Sequence, residues 1–130
     1  MARHLHAFSL LVPDYDDALA FYVTKLGFHL REDIPLSEDK RWVVISPDRD
    51  CETNILLAKA DGPQQDAAIG NQFGGRVGLF LHTDDFHVDH TMMLAAGVQF
   101  EEEPRHEPYG TVAVWRDPFG NRWDLLQLKD

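Results

Sequence analysis

The residues that decide the fold close the chain: Arg116-Asp-Pro-Phe-Gly-Asn-Arg-Trp-Asp-Leu-Leu-Gln-Leu128. Proline and glycine within residues 117–121 predict a tight turn, and the apolar residues after it predict the second strand of a hairpin. That strand, residues 122–128, carries one acidic residue, Asp124, among apolar neighbours. The functional question is whether Asp124 is a metal ligand or a lone carboxylate.

A strand, a helix and a second strand precede the two strands of this hairpin. Residues 76–83 form an apolar run that predicts a strand, Asp84 and Asp85 mark a helix start, and Gly97 marks the helix end. Strands near residues 98–102, 111–115 and 122–128 complete a βαβββ unit. We expect the helix to bury a stripe of four residues, namely Val88, Thr91, Met92 and Ala95.

The first half of the chain repeats this plan. A strand over residues 5–12 precedes a helix ending at Gly27, with strands near 28–33, 41–46 and 54–58; the expected helical stripe is Leu19, Tyr22, Val23 and Leu26. Asp14 and Asp84 are seventy residues apart, as are Gly27 and Gly97. We therefore predict one α+β domain, residues 1–130, of two βαβββ modules, about 1–60 and 75–130, joined by a polar linker, 61–74.

Charge and composition exclude several classes of partner. Twenty-two acidic against twelve basic residues give a formal charge of −10, which repels nucleic acid and anionic membranes and attracts a cationic small molecule or a basic protein. No apolar run approaches the length of a membrane span, and the single cysteine, Cys51, has no internal partner. We expect a cytoplasmic protein with no membrane and no nucleic-acid partner.

Several motifs together resemble one family. They are the two βαβββ units, the run Val12-Pro-Asp-Tyr-Asp-Asp-Ala-Leu-Ala-Phe-Tyr22, the helix end Leu26-Gly27-Phe28, and the hairpin Asp117-Pro-Phe-Gly-Asn-Arg-Trp-Asp124. This combination resembles the vicinal oxygen chelate superfamily of glyoxalases, bleomycin-resistance proteins, fosfomycin-resistance enzymes and extradiol dioxygenases, over essentially the whole chain. The resemblance implies a curved, open mixed β-barrel with helices outside, a central cavity, and a homodimer.

The resemblance also implies where a metal would bind. Metal-dependent members hold iron, manganese, nickel or zinc with side chains from the first strand of each unit and the last strand of the second. Those positions correspond here to Ala7, Gly78 and Asp124, with Leu56 at a further position that glyoxalases use. A plain seventy-residue offset would give Val77 in place of Gly78. Only Asp124 offers a donor atom, so we expect no cofactor.

Side-chain alternation along the strands predicts the residues that face the cavity. If Ala7 faces it, a half-buried His6 faces the helix side, and His82 becomes the histidine of most functional interest. The predicted ligand-binding cavity contains Ala7, Ser9, Leu11, Leu56, Gly78, Phe80, His82, Tyr109, Trp115, Arg122 and Asp124.

These residues favour one function and leave others open. The leading hypothesis is a metal-independent protein that binds a small apolar or aromatic molecule, with a cation favoured by the acidic charge. Asp124 is either kept ionised by Arg122 or Arg76, or available to the ligand. The rival is an enzyme, either a lyase, isomerase or dioxygenase with a metal on Asp124, His82 and His6, or one using His82 or Asp124 as general base. A third possibility is an interaction domain whose pocket is filled by its own Phe and Trp side chains.

Overall fold

The first half of the chain folds around a four-stranded sheet. The computed structural model describes residues 1–130 and divides them into two compact units, Met1–Ile69 and Gly70–Asp130. The first unit contains β1 (Ala7–Val12), α1 (Tyr15–Leu19, continuing as a π-helix over Ala20–Lys25), β2 (His29–Pro35), β3 (Arg41–Ser46), β4 (Asn54–Lys59) and α2 (Pro63–Ala68). The strand order is β1-β4-β3-β2, and β1 runs parallel to β4. The predicted βαβββ order is confirmed, whereas α2 was not predicted within the linker.

The core of the first unit follows the alternation of its strands. Although Val44 and Asn54 are buried on the opposite face, the main buried layer consists of side chains at alternate strand positions and on the buried side of α1. They are Leu10, Val12, Val43, Ile45, Ile55 and Leu57 from the strands and Ala18, Phe21 and Tyr22 from the helix. The predicted helical stripe is therefore partly wrong, since Val23 and Leu26 are only half-buried and Phe21 is buried instead.

The π-turn explains this difference. Asp14 caps the helix by accepting a hydrogen bond from the backbone N–H of Asp17 at 3.0 Å, as its sequence position predicts. Further along, the N–H of Leu26 donates to the carbonyl of Phe21 at 3.0 Å, a wider turn than the α-helical one. A π-turn holds one additional residue, so it rotates the following side chains out of the α-helical phase.

The second unit contains five strands, and four of them are ordered as in the first unit. They are β5 (Leu79–His82), β6 (Gln99–Phe100), β7 (Arg105–Glu107), β8 (Gly110–Arg116) and β9 (Arg122–Leu128), with α3 (Phe86–Ala95) after β5. The order is β5-β9-β8-β6, and β7 also pairs with β8. β6 and β7 thus form one edge strand in two pieces, whereas the sequence predicted one strand near residues 98–102 and none from there to residue 111.

Helix α3 begins one residue later than the repeat predicted. Its cap is Asp85, which accepts from the N–H of Val88 at 3.2 Å. Phe86 and Met93 are the buried residues, whereas Val88 and Met92 are 48% and 63% exposed, so the predicted stripe is wrong. The two helix caps lie seventy-one residues apart, while the glycines after the helices lie seventy apart. The π-turn of α1 accommodates the one-residue difference.

The break between β6 and β7 is closed by one backbone hydrogen bond and one side-chain hydrogen bond. The N–H of Glu101 donates to the carbonyl of Val114 at 2.9 Å, and the carboxylate of Glu102 accepts from the N–H of Val114 at 2.9 Å. Arg105 donates to the same carboxylate. On the side of β8 away from β9, Val114 therefore keeps both backbone hydrogen bonds although neither β6 nor β7 pairs with it.

None of the helices is long and apolar enough to cross a membrane.

Candidate functional site

The predicted residues of the first unit share one face of its sheet. Ala7, Ser9 and Leu11 on β1 lie opposite Asn54, Leu56 and Ala58 on β4, and Val44 on β3 lies opposite Leu56. This side of the sheet, opposite to the buried alternates, is termed the helix-free face. Ser9 is exposed, and Ala7, Leu11 and Leu56 are half-buried.

Two large apolar residues on this face were not predicted. Trp42 lies on the same side of β3 as Val44 and pairs with Ile34 on β2; their exposed fractions are 41% and 47%. The run Val43-Val-Ile45 is apolar on both faces, so no alternation was present from which to orient Trp42. Exposed aromatic surface of this kind suits the binding of an apolar or aromatic molecule.

His6 differs from its predicted placement. Its side chain is exposed rather than half-buried, because it precedes the first residue of β1. Its carbonyl oxygen makes the structural contacts, accepting from the backbone N–H of Asn54 at 2.8 Å and from the Asn54 amide at 3.0 Å. The imidazole of His6 therefore has no role in holding the sheet.

The helix-free face of the second unit is centred on Asp124. Phe80 on β5 and Val114 on β8 lie directly opposite Asp124 on the two sides of β9, and His82 lies further along β5 on the same face. Phe80 is 64% exposed, and the His82 side chain is also exposed. An apolar ring, a carboxylate and an imidazole are thus available on one surface.

Asp124 is partly buried and makes no ion pair. Its Oδ1 atom is buried and has no hydrogen-bond partner. Burial raises the pKa of Asp124, and the nearby Glu102 adds to this effect, while the charges of Arg105 and Arg122 oppose it. The expected ion pair between Asp124 and Arg122 or Arg76 is absent, and the charge of Arg122 acts on Asp124 only from a distance.

Arg122 is engaged elsewhere. Its guanidinium donates to both carboxylate oxygens of Glu101 at 2.8 and 2.9 Å and to the carbonyl of Gly75 at 2.9 Å. The hydrogen bond from Arg122 lowers the pKa of Glu101, and Arg116 contributes a second one. Arg122 therefore forms its ion pair with Glu101 and not with Asp124.

Trp115 and Tyr109 occupy different surroundings. Trp115 is fully buried and stacks on Trp123, with ring centroids 4.9 Å apart, on the face opposite to Asp124. Its predicted place in the cavity is wrong, because it is one residue out of phase with Val114. Tyr109 lies in the turn between β7 and β8 and is 51% exposed.

Gly78 is covered by a residue that was not predicted. A Cβ atom at position 78 would overlap the ring carbons Cγ, Cδ1 and Cδ2 of Phe73. Phe73 belongs to the turn before β5, which the sequence marked only as linker. The Gly74-Gly75 pair that follows Phe73 was the only local signal for this turn.

The turn that carries Phe73 is attached to the hairpin that identified the fold. Asp117 accepts from the backbone N–H of Asn121 at 2.8 Å and from its amide at 2.7 Å. The amide oxygen of Asn121 in turn accepts from Gln72 at 3.2 Å. The buried Asp117 and Asn121 thus fix both the hairpin and the neighbouring turn.

The residues present do not fit the metal centre of the family. Ala7, Leu56 and Gly78 have no donor atoms in their side chains, and the Phe73 ring fills the space above Gly78. Asp124 is the one carboxylate at the four positions, and no group of three or more His, Cys, Asp or Glu side chains is arranged to hold a metal. The alternative set of Asp124, His82 and His6 does not form such a group.

Comparison with known proteins agrees with the architecture. A curated relative, an uncharacterized protein from Shewanella frigidimarina (strain NCIMB 400), is 51% identical over 131 residues, covering 100% of this chain and 97% of the relative. The crystal structure of UcmS2 is similar with a TM-score of 0.83 at 32% identity, covering 97% of this chain and 98% of that one. That of TnmS3, an antibiotic binding protein from Streptomyces sp. CB03234, is similar with a TM-score of 0.79 at 30% identity, covering 98% of both chains.

A family model matches nearly the whole chain. It is described as the Glyoxalase/Bleomycin resistance protein/Dioxygenase superfamily, and it matches residues 4–125. The two βαβββ units and the closing Asp-Pro-Phe-Gly-Asn hairpin agree with that match. The chain therefore belongs to the Glyoxalase/Bleomycin resistance protein/Dioxygenase superfamily.

Proposed function

We propose that this protein binds a small apolar or aromatic molecule on the helix-free faces of its sheets, without a metal and without changing the molecule chemically. The observation that carries this proposal is that most of the family's metal-ligand positions lack donor atoms here, while the same faces expose apolar side chains. Three of the four positions at which relatives ligate a metal carry Ala7, Leu56 and Gly78, and the same faces expose Trp42 and Phe80.

The charge of the chain and one structural relative support the proposal. A formal charge of −10 favours a positively charged ligand, chiefly through the rate of association. Asp124 adds a local acidic group beside Phe80. TnmS3, at 30% identity, is an antibiotic binding protein, which is a precedent for antibiotic binding on this fold.

The test is calorimetric titration with two aromatic probes of opposite charge, proflavine as the cation and 1-anilinonaphthalene-8-sulfonate as the anion. We expect saturable binding with the cation preferred, and a loss of about tenfold or more in Trp42→Ala or Phe80→Ala. Val88→Ala is the matched control, because Val88 is an exposed apolar residue on the outer side of α3. Absence of saturable binding, or an equal loss in the control, contradicts the proposal.

Metal analysis tests the metal-free part of the proposal. Protein purified without chelators is expected to contain no stoichiometric iron, manganese, nickel or zinc. One equivalent of any of these metals, lost in Asp124→Ala, would establish the metal-dependent lyase, isomerase or dioxygenase alternative instead.

One observation favours a second candidate, an enzyme without metal. Burial raises the pKa of Asp124, as is common for groups that transfer protons, and His82 lies on the same face. The reaction would be proton abstraction next to a carbonyl group. Deuterium exchange into an enolisable ketone, abolished in Asp124→Ala or His82→Ala, would support it; a rate equal to that of buffer alone would exclude it.

The proposal includes a homodimer, as expected from the family resemblance, and a cytoplasmic location, as expected from the single cysteine. Sedimentation equilibrium at micromolar concentration tests the dimer, and a mass of one chain would contradict it.

A further inference from the structure

We propose that Phe73 determines the ligand specificity of the second unit: its ring occupies a place on the helix-free face that an aromatic ring of the ligand takes over. This inference rests on the proposed function and names the part of the ligand that the site recognises.

The position of the ring follows from Gly78. The N–H of Gly78 donates to the carbonyl of Arg122 at 3.2 Å, so Gly78 extends the pairing of β5 with β9. A side chain at position 78 would point to the same face as Phe80, two residues later. The Phe73 ring lies where that side chain would be, so this part of the face carries a space that fits one aromatic ring.

The backbone on both sides of Phe73 is held in place. Before it, Gln72 donates to Asn121 at 3.2 Å, and Gly70 lies so close to the carbonyl of Phe119 that a Cβ there would overlap it. After it, the carbonyl of Gly75 accepts from Arg122 at 2.9 Å. Gly74 and Gly75 have φ values of 66° and 84°, a conformation that favours glycine. The turn is therefore defined, and rotation of the ring about its side-chain bonds is the smallest movement that vacates the space.

The ring itself is only partly buried, which makes such a rotation accessible. Phe73 remains partly exposed, in contrast to the fully buried Trp115 of the same unit. A ligand ring that replaces Phe73 would lie close to Phe80 and would regain the contacts that Phe73 gives up. Because the ring must first vacate the site, the observed affinity equals the intrinsic affinity multiplied by the fraction of molecules in which the ring has moved.

The test compares the wild type with Phe73→Ala, using indole and proflavine as probes. In Phe73→Ala the space is already empty, so we expect indole to bind at least about tenfold more tightly than to the wild type, a difference of about 1.4 kcal/mol. Proflavine should gain affinity in the same direction. Weaker or unchanged binding of indole would overturn the inference, because Phe73 would then be a stacking surface or a structural residue.

Two further measurements keep the test decisive if Phe73→Ala folds poorly. Phe73→Leu, which retains an apolar side chain in the turn, should show a smaller gain of the same sign. With 4-fluorophenylalanine incorporated, the resonance that Phe73→Leu lacks should shift when indole saturates the wild type; an unshifted resonance would refute displacement. If the wild type binds neither probe while Phe73→Ala binds indole, the proposed function fails, and only the claim that Phe73 fills a space for an aromatic ring is supported. If the wild type binds proflavine and Phe73→Ala behaves identically, the inference about Phe73 fails and the proposed function stands.

Discussion

The partly buried carboxylate of Asp124 is predicted to make a destabilising contribution that grows as pH rises from its unfolded to its folded pKa. Its pKa is raised from 3.8, chiefly by burial, so the folded protein binds the proton more tightly than the unfolded chain does. Between the unfolded and the folded pKa values, the folded state therefore holds more protons, and the free energy of unfolding decreases as pH rises through that window. Above the folded pKa the penalty is present in full.

Replacing Asp124 by Asn removes this penalty. Each unit of pKa difference corresponds to about 1.4 kcal/mol, and part of it is screened because the side chain is only partly buried. We expect Asp124→Asn to raise the free energy of unfolding by about 0.5–1.5 kcal/mol near pH 7, and to change it little at about pH 3, where both states are largely protonated.

The assay is urea unfolding at a series of pH values, with Asp33→Asn as the matched control of opposite sign. Hydrogen bonding to Arg41 lowers the pKa of Asp33, so its stabilisation is present above the unfolded value of 3.8 and lost as pH falls through the folded one. Asp33→Asn should therefore lose up to about 1 kcal/mol near neutral pH. The reasoning about Asp124 is refuted if Asp124→Asn is less stable than the wild type near neutral pH, or if its gain persists unchanged in acid.

Three further changes test the fold described above. Glu102→Ala should cost about 1–2 kcal/mol in urea unfolding, because the N–H of Val114 loses its acceptor, and Glu102→Gln should cost less; equal losses would contradict this. Met93→Ala should cost about 2 kcal/mol or more, while Met92→Ala stays within about 0.5 kcal/mol, and the reverse order would restore the helical stripe read from the sequence. Trp42→Phe should remove most of the tryptophan emission that acrylamide quenches, since the two stacked tryptophans of the second unit are buried; persistent quenching would show that they are not.

The strands were predictable because their boundaries are marked by strong signals. Strand β9 spans the predicted residues 122–128, since the Asp-Pro-Phe-Gly-Asn turn leaves one place for it to begin. The helices were harder. Counting the repeat from Asp84 placed α3 one residue early, and a π-turn leaves no mark in the pattern of apolar residues. With Asp85 as the cap, the position equivalent to Ala7 is Gly78 rather than Val77.

The strand pairing puts Ala7 and Ser9 on one face of the first sheet, and Phe80 and Asp124 on one face of the second, as alternation predicts. Alternation could be applied only because the family resemblance supplied Ala7 and Gly78 as starting positions. It could not find Phe73, which reaches the face from a turn, where no periodicity applies. Alternation also could not show how buried Asp124 is or which carboxylate pairs with Arg122, because both depend on contacts between residues distant in sequence.

The divided edge strand has a consequence for how this protein meets other chains. A long, regular edge strand offers unpaired backbone groups to which a foreign strand can add, and this is a common route to aggregation. In the second unit that edge consists of strands of two and three residues. In the gap between them, the N–H of Val114 on β8 already donates to the carboxylate of Glu102. In the first unit the corresponding edge, β2, carries Arg31, Glu32 and Asp33 and an irregular register. Both edges are therefore poor templates for strand addition, so the protein can expose apolar surface on its faces with little risk of polymerising through these edges.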